Sequence, residues 1–422
     1  MKAIKSIVRG LAVAGLCLTT CSAAFAKTEI VIEYPYPDLF DKVHGEIIEK
    51  FKAVEPDIKV KVRNKYESYE DGTKKVLRAS MTKSLPDISF QGISRVRVMV
   101  EKGIAQPIDG FIAQEKNFGA KGFYDAMYQT CTFNDKVYGL PFAVSQPIAF
   151  YNMDLAQKAG YTVDTLPKTW DEVYEFAHKV EGKDKEAKGF FYYWGETGFW
   201  QLQALLFAEG GSFMDAEEKN ALLNSDKAYH AFDKLREMVV EGNMKKDYDW
   251  TPAKTDFYSG KLGLLIASSS ILYNAEQSIG DRFPIKTGFF PGLHEGSKLP
   301  VGGNAAVMTA TDPKQQEAAW KFIKFWCGIE GAKTVATKTG YMAPNKNAVA
   351  TLKDHFAKNP NAVTVYNHQP YMTGWYAFPG KNGLKITELI YGAMEKVVTT
   401  DNNPHKVANQ LNKKIQKLIP QS

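Results

Sequence analysis

The segment that most constrains this chain is residues 138–155, Tyr-Gly-Leu-Pro-Phe-Ala-Val-Ser-Gln-Pro-Ile-Ala-Phe-Tyr-Asn-Met-Asp-Leu. Tyr138-Gly139 opens it like a turn. Pro141 fixes one backbone angle and denies that position a ladder donor. Pro147 follows, and the apolar run Ile148 to Tyr151 leads into Asn152-Met153-Asp154. Two extended pieces joined around prolines suit a chain crossing from one domain into another, although an ordinary edge strand reads the same way.

Length agrees with two bodies. The chain starts Met1-Lys2-Ala3-Ile4-Lys5, carries Arg9, runs apolar from Leu11 to Leu18 and closes with Ala24-Phe25-Ala26. A basic start, a short apolar middle and an Ala-x-Ala site describe a secretory signal peptide over residues 1–26. The apolar run is too short to span a bilayer. Leu18-Thr19-Thr20-Cys21 faintly resembles a lipoprotein site with Cys21 as the acylated residue, but Thr20 is a poor fit before such a cysteine. The expectation is therefore a free periplasmic protein. Without the leader 396 of the 422 residues remain, more than one ordinary core, which points to two lobes.

The leader holds three basic and no acidic residues, so the formal charge falls from +6 to +3. That balance makes no case for nucleic acid or a membrane surface. Cys131 and Cys327 remain, almost two hundred residues apart, and read as separate buried thiols rather than a bridge or a metal site.

Along the mature chain, strand and helix patterns alternate. Thr28–Ile32 reads as a buried strand, followed by the loop Tyr34-Pro35-Tyr36-Pro37. Loops at the carboxyl ends of parallel strands are where ligands bind in such sheets, which makes Tyr36 a candidate. Asp38 is placed to cap a helix whose apolar positions are Phe40, Val43, Ile47 and Phe51. Ile58, Val60 and Val62 alternate as a strand, a helix is predicted over 69–82, a strand over 87–90 and a helix over 94–102. Thr169 to Glu172 forms a capping box. Ser225 to Glu241 reads as a helix, 262–266 and 305–308 as strands. Asp312-Pro313 starts another helix, and two more follow, parted by Asn402-Asn403-Pro404. The alternation implies α/β lobes, each a mainly parallel sheet flanked by helices.

No catalytic signature stands out. There is no Gly-x-Ser-x-Gly elbow, no His-Glu-x-x-His, no Walker loop, and the seven histidines are scattered, reading as surface or capping residues. Aromatic residues near glycines are conspicuous instead: Phe190 to Trp194 before Gly195, Phe199-Trp200 after Gly198, and Tyr371, Trp375, Tyr376 and Phe378. Flat apolar faces suit the C–H faces of sugars and polyols, and tryptophan adds a donor. Trp200 and Trp375 are the candidates.

Four pieces in order carry a resemblance. Gly-Leu-Pro-Phe at 139–142 with Phe-Tyr-Asn-Met-Asp-Leu at 150–155 resembles the first inter-lobe crossover of the extracellular solute-binding proteins of ABC importers, in the branch with the maltodextrin- and glycerol-phosphate-binding components. Leu-Pro-Lys-Thr-Trp-Asp-Glu-Val at 166–173, Phe-Tyr-Ser-Gly-Lys-Leu-Gly at 257–263 and Lys-Thr-Gly-Tyr-Met-Ala-Pro-Asn at 338–345 match in register. The resemblance covers essentially the whole mature chain. It implies the two-lobe periplasmic binding protein fold (type II), with lobes at 27–140 plus 304–342 and 141–303 plus 343–422. Crossings would fall near 140–144, 300–304 and 341–345. It also implies binding positions at Tyr69, Ser145, the turn Ser268–Ser270 (Ser269 and Ser270 preferred), the pair Gly302-Gly303, and Tyr341; Asn304, beside that pair, is a further candidate. Where the glycerol-phosphate-binding relative has a glutamate, this chain offers Gln91. Where that relative has a phosphate-binding arginine, this chain has only Lys381, which lacks a bidentate fork.

The expected function is capture of a small polar solute, a sugar, polyol or phosphorylated polyol, by a monomer that needs no cofactor and delivers to inner-membrane ABC permease subunits. A chemosensory binding protein would share fold and cleft. A secreted hydrolase would need a catalytic constellation the sequence does not display.

Overall fold

The structure, a computed structural model, describes residues 27–420. The expected leader, with Cys17 and Cys21, lies outside the described residues. A five-stranded sheet is ordered 58–66, 28–35, 88–92, 302–308, 139–145, and a four-stranded one 285–288, 147–152, 262–268, 188–192. The sheets are mixed rather than mainly parallel. Thr28–Pro35 is parallel to Ile58–Tyr66 and to Ile88–Gly92, but Gly302–Met308 runs antiparallel to both of its neighbours. The reason lies in the crossovers: 139–145 leaves the first sheet and 302–308 enters it, so the two strands point opposite ways. In the second sheet Pro147–Asn152 is likewise antiparallel to Leu262–Ser268, and only Lys188–Tyr192 pairs with it in parallel.

Two large cores follow the sheets. One gathers residues between Ile30 and Ala143 with others from Ala306 to Tyr341; the other gathers Ile148 to Leu299 with Phe378 to Ile419. They define an N-terminal and a C-terminal lobe. A smaller cluster, with Val144, Val301 and Met342, sits at the passages between them together with Tyr69, Trp200 and Trp375. Val144 and Met342 exchange backbone hydrogen bonds of 3.3 and 2.6 Å, and Gly302 pairs with Ser145, so the three passages lie side by side as short strands. Only Gln146 separates the strand that ends at Ser145 from the strand that begins at Pro147.

Local chemistry explains the elements. In the helix Trp170–Lys183, the Thr169 hydroxyl accepts from the Glu172 amide while Glu172 accepts from the Thr169 amide, the predicted box. Asp312 caps Pro313–Trp326, and Asn403 caps Pro404–Gln416 ahead of its proline. At Pro37–Val54 the expectation differs: Tyr36 occupies the cap position at φ 54°, Pro37 opens the helix, and Asp38 sits in the first turn. The first strand runs on to Pro35, which shortens the predicted loop to a single left-handed residue. Cys131 and Cys327 are buried free thiols. His44 and His368 contradict the surface reading of the histidines. His44, 1% exposed, packs against Tyr34, Phe90, Phe142 and Trp326, and His368 is fully buried beside Phe289. A neutral imidazole stacks like any other ring, and a lone histidine in sequence carries no sign of that. No helix among the described residues is long and apolar enough to cross a membrane.

Candidate functional site

Strand ends build the site. Strands 28–35, 58–66 and 139–145 of the first sheet and 188–192 and 262–268 of the second all finish at one cavity of about 440 Å³, while 302–308 begins there. Its lining therefore comes from both lobes and from the passages between them.

Four aromatic rings form a string across it. Tyr36 meets Tyr69 edge-on at 4.9 Å, Tyr69 meets Trp375 at 6.2 Å, and Trp375 meets Trp200 at 5.9 Å. Tyr36 is held by its left-handed backbone and by its amide donating to the Tyr66 carbonyl at 2.8 Å. Tyr69 opens the helix Tyr69–Met81, and its hydroxyl lies 3.4 Å from that of Tyr341. On the C-terminal lobe Tyr193 stacks on Trp250 at 4.3 Å, nearly parallel at 8°. Burial raises the phenol pKa values of Tyr36 and Tyr69 and pushes that of Tyr341 up to about 12, so all three remain hydroxyl donors. The side chains of Trp200 and Trp375 are 2% and 5% exposed, and their indole nitrogens, beneath the accessible surface, have no hydrogen-bond partner among the described residues.

Glu196 supplies the complementary acceptor. It lies 9% exposed on the turn between strand 188–192 and the helix Trp200–Ala208. Its Oε2 accepts from Gln201 Nε2 and from the Ser268 amide, both at 2.9 Å. Burial lifts its carboxyl to about 7, against the pull of those two donors. The turn is tight: Thr197 and Gly198 both have positive φ, and a Cβ on Gly198 would come within 2.4 Å of Thr387 Cγ2.

Of the sequence candidates, Tyr36, Tyr69, Ser145, Trp200, Ser270, Gly303, Tyr341 and Trp375 line this cavity. Four lie elsewhere. Gln91 is fully buried, its Oε1 accepting from Thr73 and its Nε2 donating to Ser89. Ser269 turns back onto the crossover, its hydroxyl accepting from the Gln146 amide at 3.4 Å. Asn304 stands behind the lining and donates to the Tyr69 hydroxyl at 3.4 Å. Lys381 is exposed on the segment after Phe378, outside the lining. Sequence reasoning missed Glu196 and Trp250, and noted Tyr193 in the aromatic run 190–194 without selecting it. The strand-end rule that selected Tyr36 applies equally to Tyr193–Gly198 after strand 188–192. Trp250, Lys254 and Tyr258, four apart on the helix Trp250–Tyr258, share one face toward the cavity, a spacing the sequence does show.

Among the described residues no three His, Cys, Asp or Glu side chains group as a metal site would. The cavity offers stacking faces, hydroxyl groups and one deep carboxylate, an arrangement suited to holding a polar molecule.

Comparison with known proteins agrees with this geometry. The model of the family described as bacterial extracellular solute-binding protein matches residues 37–333. The sn-glycerol-3-phosphate-binding periplasmic protein UgpB of Escherichia coli (strain K12) is 26% identical over 369 residues, covering 83% of this chain and 82% of its own. An ABC substrate-binding protein of Listeria monocytogenes, solved in complex with cycloalternan, superposes with a TM-score of 0.80 at 21% identity, covering 93% of this chain and 99% of that one. UgpB of Mycobacterium tuberculosis, solved with glycerophosphocholine, gives 0.79 at 21%, covering 92% and 97%.

Proposed function

The chain belongs to the bacterial extracellular solute-binding proteins, and from that premise we propose that it captures a sugar or polyol between its lobes and hands it to the permease of an ABC importer. The observation that carries this reading is the shared lining: Tyr36 and Tyr69 from one lobe, Trp200 and Glu196 from the other, and Ser145, Gly303 and Tyr341 at the passages all meet at one cavity. A solute there touches both halves only when they are together, so binding energy favours the closed form. Selectivity follows from the cost of leaving a buried donor or acceptor unpaired. The division into 27–140 plus 304–342 and 141–303 plus 343–422 is part of the proposal, supported by the two separate cores. So are export by cleavage after Ala26 and action as a monomer. The proposed binding residues are the cavity-lining candidates named above together with Tyr193, Glu196 and Trp250. No catalytic role is assigned.

Thermal-shift screening of residues 27–422 against sugars, polyols and their phosphates tests the reading. A solute at about a hundred times its dissociation constant adds roughly 3 kcal/mol to the folded state. Flat melting curves across the whole library would sink it. Trp200→Phe keeps the stacking ring and deletes the unpartnered N–H. The expected result is affinity up to about tenfold weaker by calorimetry through the smaller stacking face, with a lower melting temperature because the smaller ring leaves a gap at a buried site.

A further inference from the structure

We propose that the cleft admits an uncharged polyhydroxylated solute and turns away phosphate esters of the same scaffold, with Glu196 as the residue that sets this preference. The inference rests on the solute-capture reading above and concerns the charge of what is captured.

The charges lining the cavity lean one way. Asp38, Glu67 and Glu196 are acidic, and Lys254 is the one basic residue among the described lining. Lys254 faces the cavity beside Trp250, its ammonium 5.7 Å from the centre of that ring, so the lining carries three acids against one base. No arginine lines the cavity, and Lys381 is exposed outside it. Helix N-termini at the cleft attract anions, and two of them already carry acids in their first turns, whereas those of Trp200–Ala208 and Leu272–Ile279 carry none. The acids are Asp38 in Pro37–Val54, and Glu70 and Asp71 in Tyr69–Met81.

Glu196 adds the deep element. Both of its protein hydrogen bonds fall on Oε2, which leaves Oε1 for whatever fills the cavity. The lining adds the hydroxyl groups of Tyr36, Tyr69, Tyr341, Ser145 and Ser270. A hydroxyl of an uncharged solute donates to Glu196 and exchanges hydrogen bonds with these groups. A fully ionised phosphate oxygen has no proton to give the carboxylate and sets its charge against it. Like charges about 6 Å apart at an effective dielectric near 20 repel enough to lose roughly a hundredfold in affinity.

The titratable groups that feel Glu196 are Tyr36, Tyr192, Tyr193 and Tyr341, all kept neutral by burial. Its own carboxyl, held near 7 by burial, is mostly ionised at pH 8 and mostly protonated at pH 6. The preference should therefore sharpen as pH rises between them.

The test is calorimetry on residues 27–422 at pH 8 with paired probes: glycerol and glycerol 3-phosphate, glucose and glucose 6-phosphate, maltose and maltose 1-phosphate. The uncharged member of a binding pair should be favoured by about a hundredfold, and in Glu196→Gln the ratio should fall to about tenfold or less. Glu196→Asp should restore most of it. A phosphate ester binding as tightly as its uncharged partner overturns the inference and leaves solute capture standing. An unchanged ratio in a folded Glu196→Gln protein removes Glu196 from the role. Saturation by neither member of any pair overturns capture of this ligand class, and the charge preference with it.

Discussion

At the scale of single residues, the proposed binding residue Glu196 also makes stability depend on pH. Between the ordinary glutamate value of 4.5 and about 7, the folded protein holds a proton that the unfolded chain has released. That contribution is fully present toward the acid end of the window and is lost as pH rises through about 7. Above it, the buried carboxylate costs roughly 3 kcal/mol. Glu196→Gln removes the dependence. The variant should match the wild type near pH 5 and melt higher at pH 8, by several degrees for a chain this size. Parallel melting curves across that range would mean that the carboxylate is solvated in solution. Trp200 shows the opposite balance. It packs on Trp375, and its ring lies within 2.8 Å of where a Gly302 side chain would begin. Truncation to alanine there should therefore cost about 3–5 kcal/mol in stability rather than affinity alone.

Elements are where glycine and backbone decide the passage between lobes. Gly303, in the strand Gly302–Met308, sits at φ 109°, and a Cβ there would come within 1.9 Å of the Ala143 carbonyl oxygen. Gly303→Ala must rotate the strand away from 139–145 or strain both. A loss of about 2 kcal/mol or more on chemical denaturation is expected, with solute affinity falling alongside because Gly303 lines the cavity. A change under about 0.5 kcal/mol would show that the passage is not held in this register. The capping box at Thr169 is an independent control. Thr169→Ala should cost about 1 kcal/mol and leave binding untouched, since its helix lies outside the cavity lining.

Across the whole molecule, the lobes are tied by more than the three passages. Arg97, on the helix Ile93–Glu101, forks onto Glu218 with bonds of 2.7 and 2.5 Å and also donates to the Ala377 carbonyl at 3.0 Å. Arg95 reaches Thr387 at 2.8 Å, and Lys74 pairs with Glu388 at 2.9 Å. Glu218 is presented from a left-handed residue at φ 54° and also accepts from the Tyr376 hydroxyl. In the proposed capture, a bidentate, half-buried pair between the two lobes stabilises only the closed arrangement. Arg97→Ala should leave both cores intact, enlarge the unliganded protein in small-angle scattering and weaken solute affinity by roughly three- to tenfold. Identical scattering and affinity would show that the pair is replaced by water without consequence.

What the sequence determined by itself is whatever depends on neighbours along the chain. The capping box at Thr169, the Asp312-Pro313 start, the apolar stripe of the first helix and the proline-marked crossover at 139–152 were legible for that reason. The strand-end rule, the aromatic residues near glycines and the family resemblance together reached eight residues of the cavity lining. Only the tertiary structure decided which polar side chains face the cavity. Gln91 and Ser269 satisfy partners within their own lobe or at the crossover, Lys381 stays in water, and Glu196 is carried inward by two consecutive left-handed residues. A side chain's direction depends on which strands pair and on where the passages lie side by side. Pairings such as Gly303 with Val144 and Ile148 with Ala267 join residues more than a hundred positions apart, and no local pattern encodes them.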